Sequence, residues 1–401
     1  MFNPFKKKPF GIDDFAKLVM TEAKKAGVAE SLEYDSKSFV LNRGDQRTYL
    51  GNVFNDYCQA DDGQKKRILG NTLALLRQKK QDIPFEEAKS KVVAAVREQA
   101  LFSFTTLSWE LEGGKGELKT EFEPISAWFA RCLVLDFPAY VSMVSPENLK
   151  TWDVSFYELY EIGLARLRDC TVSKFEKQQG YHIGGWHDDY DNSRILIPEV
   201  FAPLHLDGDP VVCLPNRNSL LVTGSENPDG IEAMLKHAEE MIRTKSRPMN
   251  PGPLILRGGG VADFSVSENS PIFNNVERAK KISALIYYQQ QTEALTKLYG
   301  QKRKDILVAK YVLNQLNTWA YESYCIWSKT VPTLLPKTDL IAFSDPAKPV
   351  SQGTLGMAKW EDVARIAGHP FLDTQMFPAR FYVSKFPTDE QLAAVIQERS
   401  L

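Results

Sequence analysis

Hydrophobic positions along this chain change period repeatedly, and the changes mark out its elements. Residues 12–26 place Phe15, Leu18, Val19 and Ala23 on one stripe at spacings of three and four, which predicts an amphipathic helix stopped by Gly27. Three short segments follow, SLEYD, SFVLN and QRTYL, punctuated by Gly44 and Gly51, and these read as strands. Helices are expected near 51–60 and 63–81, the second turning Ile68, Leu69, Thr72, Leu73 and Leu76 inward. Another is expected over FEEAKSKVVAAVREQALF, after Pro84. Near residue 105 the pattern turns to strands. TLSWEL and ELKTEFEP flank the turn Glu112-Gly113-Gly114-Lys115-Gly116 and read as a hairpin. AWFARCLVLDF is almost continuously apolar, as a central strand would be, and AYVSMV is a further strand.

Ser155 and Glu158 form a capping box that opens a helix through Arg168. PVVCL and SLLVTG read as two strands joined by Pro215-Asn216-Arg217-Asn218, and Pro228 begins another helix. Residues 244–275, rich in Pro, Gly, Ser and Asn, read as a linker or irregular connection. Helices at 276–298 and 304–318 follow, then strands SYCIWS and LIAFS, helix WEDVARIAG, strand ARFYVSKF and a closing helix DEQLAAVIQ. Strands and helices alternate irregularly, which predicts an α+β fold with mainly antiparallel sheets in two or three subdomains. The expected divisions are 1–104, 105–245 and 246–401.

Composition narrows the class. At 401 residues the chain exceeds one ordinary core. A net charge of -2 gives no general attraction to nucleic acid or to an anionic membrane. No apolar run reaches the roughly 20 residues that span a bilayer. The basic cluster Lys6-Lys7-Lys8 is not followed by an apolar stretch, which argues against a secretory signal. Five scattered cysteines without a CxxC pair argue against disulfides and structural zinc, so a reducing cytoplasm is expected.

The candidate chemistry concentrates between His182 and Ser225. His187, Asp188, Asp189 and Asp191 offer carboxylate and imidazole ligands to a hard cation such as Mg or Mn, and His205, Asp207 and Asp209 could return from the next loop. The spacing matches neither an EF-hand nor a zinc motif. A structural role at a helix start, with Asp191 or Asn192 as cap, outweighs the metal reading. Arg194 and Arg217 could converge on a carboxylate or phosphate. Pairing of Arg194 with Asp188 or Asp191 weighs more. Thr223-Gly224-Ser225 precedes a helix start already carrying Glu226 and Asp229, which would repel phosphate. Arg257-Gly258-Gly259-Gly260 has no nucleotide-loop context and reads as a turn. The clusters Lys65-Lys66-Arg67 and Lys302-Arg303-Lys304 read as solvated surface.

DDYDNSRILIPEVF and GDPVVCLPNRNSLLVTGS resemble the bacterial family known as domain of unknown function 1444, and the likeness extends upstream through LVLDFPAYVSMVSPENLKTWDVSFYELYEIGLARL. The resemblance implies a bacterial cytoplasmic protein and carries no reaction with it. With no nucleotide loop, zinc cage or triad in view, the leading reading is a non-catalytic binding or interaction protein. Its protein or small-molecule partner would meet Asp188, Asp191, Arg194, Asn216 and Arg217. The rival is a metal-assisted hydrolase built on His187, Asp188, Asp189 and Asp191.

Overall fold

The computed structural model describes residues 10–396 apart from 29–31, 45, 78–82, 115–119, 173, 246, 251, 317–319, 350–351 and 367–370. The Lys6-Lys7-Lys8 cluster and Lys115-Gly116 lie outside the described residues. Two compact units emerge. Met1–Ala94, Leu133–Leu167 and Thr244–Arg247 form the first, and Ala95–Cys132, Arg168–Arg243 and Pro248–Leu401 form the second. Neither is contiguous, because strands at 92–98 and 129–137 each pass from one unit into the other. Cuts at 104 and 245 therefore do not coincide with them.

The first unit begins with α1 (Ile12–Lys25), the antiparallel strands β1 (Leu32–Asp35), β2 (Val40–Arg43) and β3 (Gln46–Tyr49), and helices α2 (Gly51–Gln59), α3 (Asp62–Arg77) and α4 (Phe85–Lys89). Phe15, Val19 and Ala23 pack with Leu41, Leu50 and Leu76, so the predicted stripe of α1 faces the core. The helix expected over 85–102 is instead α4, then β4 (Val92–Glu98), then α5 (Gln99–Leu111). Residues Val92–Arg97 are all buried, and a short apolar run rich in β-branched valine is the signature of a strand covered on both faces. TLSWEL lies inside α5, so no hairpin forms there. β5 (Phe122–Pro124), β6 (Phe129–Phe137) and β7 (Tyr140–Met143) follow, and β6 pairs antiparallel with β5 and β7. Helices α6 (Pro146–Trp152) and α7 (Phe156–Asp169) come next, the latter opened by the predicted Ser155–Glu158 box.

The second unit continues through β8 (Phe175–Lys177), β9 (His182–Gly184), two 3-10 segments (Asp191–Leu196 and Pro198–Leu204), β10 (Pro210–Asn216), β11 (Ser219–Gly224) and α8 (Pro228–Thr244). The expected linker contains a hairpin, β12 (Leu254–Arg257) and β13 (Gly260–Asp263), whose two-residue turn places Gly258 and Gly259 at φ of 59° and 79°. These strands form one antiparallel sheet in the order β13-β12-β10-β11-β9-β8. Val211, Cys213 and Leu221 pack against α8 residues Ile231, Met234 and Ala238. Val212, Leu214, Leu220 and Val222 pack against Ile195, Val200 and Phe201 of the 3-10 segments. Strand alternation thus sends successive residues into two apolar layers, and the hairpin reads as unbroken hydrophobe.

The chain then forms the long helix α9 (Phe273–Gln301). In place of the helix expected at 304–318 stand β14 (Leu307–Val308) and β15 (Val312–Gln315). β16 (Tyr321–Ser328), β17 (Thr333–Pro336), β18 (Leu340–Ser344), β19 (Thr354–Lys359), α10 (Trp360–Ile366), β20 (Leu372–Asp373), β21 (Arg380–Val383) and α11 (Asp389–Val395) complete the order. They make two sheets, β15-β16-β18-β19 and β14-β17-β21-β20, mostly antiparallel, with β16–β18 and β14–β17 parallel. The fold is α+β. No helix among the described residues is long and apolar enough to cross a membrane.

Two glycines separate close packing from helix cost. A Cβ at Gly230 would lie 2.1 Å from the Gly180 carbonyl oxygen, whereas one at Gly70 in α3 meets nothing within 4 Å. Gly230→Ala should lose about 2–3 kcal/mol through backbone displacement, and Gly70→Ala should gain about 0.5–1 kcal/mol in helix propensity. Urea unfolding of the two variants checks both signs.

Candidate functional site

The polar stretch around His187–Arg194 is built as a frame. The loop after β9 turns through left-handed backbone at His187 (φ 54°) and Asp189 (φ 68°). Asp191 Oδ1 closes it by accepting the N–H groups of Trp186 and His187, each at 3.2 Å. Arg194 is wholly buried. Its guanidinium donates to both oxygens of Asp188 at 2.8 and 2.6 Å, to Thr171 Oγ1 at 3.1 Å and to the Cys170 carbonyl at 3.4 Å. The Trp186 ring covers it at 4.4 Å. Burial would raise the Asp188 carboxyl, but the hydrogen bonds and charge of Arg194 prevail and hold it below the usual aspartate range. Asp191 goes the other way: burial lifts it, the charge of Asp188 adds, and the backbone bonds only partly oppose.

The two neighbouring side chains dress the edge of β4. Asn192 Nδ2 donates to the Val96 carbonyl at 3.1 Å, and Ser193 Oγ accepts from the Val96 N–H at 3.0 Å. They satisfy backbone groups that a missing strand would otherwise take. The Asn192 N–H also donates to the Arg217 carbonyl at 3.3 Å, so the acidic loop and the β10–β11 turn do meet. Asn216 is buried, and its Oδ1 accepts from Asn218 N at 2.9 Å, fixing the turn. The expected ligand-facing surface is corrected on this point. Asp191 and Arg194 are fully buried and Asn216 nearly so; Asp188 is exposed but both its oxygens are engaged by Arg194, and Arg217 is half-buried.

Three carboxylate oxygens of the acidic loop are already engaged, and the buried Asp191 Oδ2 has no hydrogen bond among the described residues. Both Asp188 oxygens face a guanidinium, and Asp191 Oδ1 is held by two amides. His205 adopts left-handed backbone at φ 48°, and Asp209 pairs with Arg257 at 2.6 Å. Among the described residues no three His, Cys, Asp or Glu side chains converge as metal ligands would.

An open space lies elsewhere in the second unit. A groove of about 810 Å³ runs beside α9 and the β15-β16-β18-β19 sheet. On its wall Lys281 Nζ sits 2.8 Å from Asp339 Oδ2 and donates to the Tyr321 carbonyl at 2.8 Å. The same Oδ2 accepts from Ser323 N and Oγ at 2.7 and 2.8 Å. Asp339 Oδ1 receives no hydrogen bond from the described residues. Lys337 Nζ lies 4.7 Å over the Trp360 ring and 3.6 Å from Glu361, and burial pushes its ammonium below the ordinary lysine range. Lys359 and Glu268 also line the groove, and no described side chain pairs with either.

No family model, curated protein or solved structure matches this chain.

The sequence drew attention to charges clustered in the chain, whereas the groove assembles Lys281 from α9, Ser323 from β16, and Lys337 and Asp339 from the β17–β18 connection. None has a motif; the one available signal was the pair of adjacent lysines on α9.

Asp188→Ala should cost about 3 kcal/mol, since it strips the counter-ion from a buried guanidinium while Asp188 itself keeps 37% exposure. Because Asp188 titrates below its unfolded value of about 3.9, its stabilisation is present above that pH and fades as pH falls through the lower folded value. Urea midpoints of wild type and variant should therefore differ widely at pH 7 and converge in acid. A loss within about 0.5 kcal/mol at pH 7 would show that the pair does not hold the loop.

Proposed function

We propose that the protein is a binding protein whose second unit captures a short peptide or other small solute carrying both charges. The observation that carries this reading is the open groove lined by both signs of charge around the Lys281–Asp339 pair. A ligand of one sign would meet repulsion from half of that lining. A zwitterionic one can place its cation at the open Asp339 Oδ1, Glu268 or Glu322, and its carboxylate at Lys280, Lys337 or Lys359. The lining charges lie near solvent, so affinity should be weak and salt-sensitive. The resemblance to domain of unknown function 1444 adds no substrate to this reading, and a bacterial cytoplasmic setting is compatible with it.

Calorimetry with the dipeptide Glu-Lys, and Ala-Ala as control, tests the assignment. Glu-Lys should bind saturably at low ionic strength, and Lys359→Glu or Glu268→Lys should each weaken it about 5- to 10-fold, roughly 1–1.4 kcal/mol. Ala284→Trp, which fills the groove floor, should abolish it. Absence of saturable binding, or binding indifferent to all three changes, overturns the proposal.

A further inference from the structure

Behind the β10–β11 turn of the second unit lies a buried set of polar groups that the fold leaves incompletely partnered. Asn250 is only 1% exposed. Its Oδ1 accepts from Gly252 N at 2.6 Å and Ser283 Oγ at 2.7 Å, while Nδ2 is buried with no partner among the described residues. Its backbone N–H donates to the Glu98 carboxyl, whose Oε1 is also buried and unpartnered. Arg97 is 4% exposed, and among the described residues its guanidinium makes one hydrogen bond, from Nη1 to the Val96 carbonyl at 2.8 Å, and no ion pair. Arg97 and Arg217 both act electrostatically on Glu98 and on the Cys132 thiol, which places all of these groups in one region.

A buried guanidinium with no counter-ion among the described residues, in the same region as an amide N–H₂ with no acceptor among them, is costly unless an acceptor reaches them. Every unmet group here can donate, provided that Glu98 keeps its proton. We propose that Arg97, Glu98, Asn250 and Arg217 form a binding site for a small oxyanion, a carboxylate or a phosphate group. Asn250 Nδ2 and the Arg97 guanidinium are its donors, and the neutral Glu98 carboxyl adds a third. Burial pushes Glu98 up to about 8, against the opposing Asn250 N–H and the charges of Arg217 and Arg97, so the acid is protonated at neutral pH. A carboxylic acid kept neutral by its surroundings can donate to an oxyanion. Above that pH its own charge would repel the guest. Cys132, which burial pushes up to about 11, stays a thiol and takes no part.

Melting temperatures of the full chain, titrated with sodium acetate or inorganic phosphate at constant ionic strength set by chloride, test the site. Acetate does not titrate between pH 6.5 and 9, so it reports the pH arm. Either anion should raise the melting temperature saturably at pH 6.5, and the stronger one assigns the head group as carboxylate or phosphate. For wild type, acetate affinity should fall at least tenfold by pH 9. Glu98→Gln, which keeps a donor at every pH, should abolish that fall. Asn250→Asp keeps Oδ1 for Gly252 and Ser283 but replaces the free donor with an anion, and should lose binding at both pH values. No saturable shift with either anion at pH 6.5, an unchanged affinity in a folded Asn250→Asp variant, or a persistent pH loss in Glu98→Gln would each overturn the proposal.

Discussion

A guanidinium taken out of water must have its donors met on the spot, and this requirement organises the second unit. Arg194 and Arg380 are both wholly buried, and each is held differently. Arg194 takes a carboxylate, a hydroxyl, a carbonyl and an indole face. Arg380 pairs with no acid among the described residues. It donates to Gln291 Oε1, Thr292 Oγ1 and the carbonyls of Ala309, Leu334 and Tyr288, and burial depresses it to about 10. It thereby ties α9 to the strands of the C-terminal sheets. In each case a charge serves as a multi-armed joint, because carbonyls and hydroxyls from separate segments must arrive at one point.

That logic explains why the most polar stretch of the chain is only partly surface: His187, Asp188 and Asp189 are exposed, but Asp191–Arg194 are buried. Charges dense in sequence can be dense because one partner neutralises another that the fold has buried. Asp188 and Arg194 do so, and Asn192 and Ser193 apply the same economy to the uncovered edge of β4. The Arg97 and Asn250 donors stand out by contrast, since the fold brings them inside without finishing their shells.

Much of the architecture was legible where one physical pattern dominated. The stripe of α1, the capping box before α7 and the β10–β11 hairpin each carry a single period or a single turn chemistry. Local pattern misleads where propensity and tertiary burial disagree. VVAAV between two helical segments has the length of one more helical turn or of a strand, and only burial on both faces decides for β4. The stretch 304–318 has helical composition, yet Leu307–Val308 pairs with β17 some way along the chain and Val312–Gln315 pairs with the next strand, β16. The site was legible only in part. Adjacent polar residues could be seen to meet, as Asp188 and Arg194 do, but whether they face a guest or each other depends on what packs above them. The groove had no sequence signal of its own, because Lys281, Ser323 and Asp339 are brought together by sheet order alone.

Solutes should engage the groove, with the Asp188–Arg194 frame silent. Hydrogen–deuterium exchange with and without a saturating charged dipeptide measures this most directly. Protection confined to peptides covering 280–284, 321–323 and 337–340 is the predicted result. Protection centred on 186–194, with the groove peptides unchanged, would contradict it.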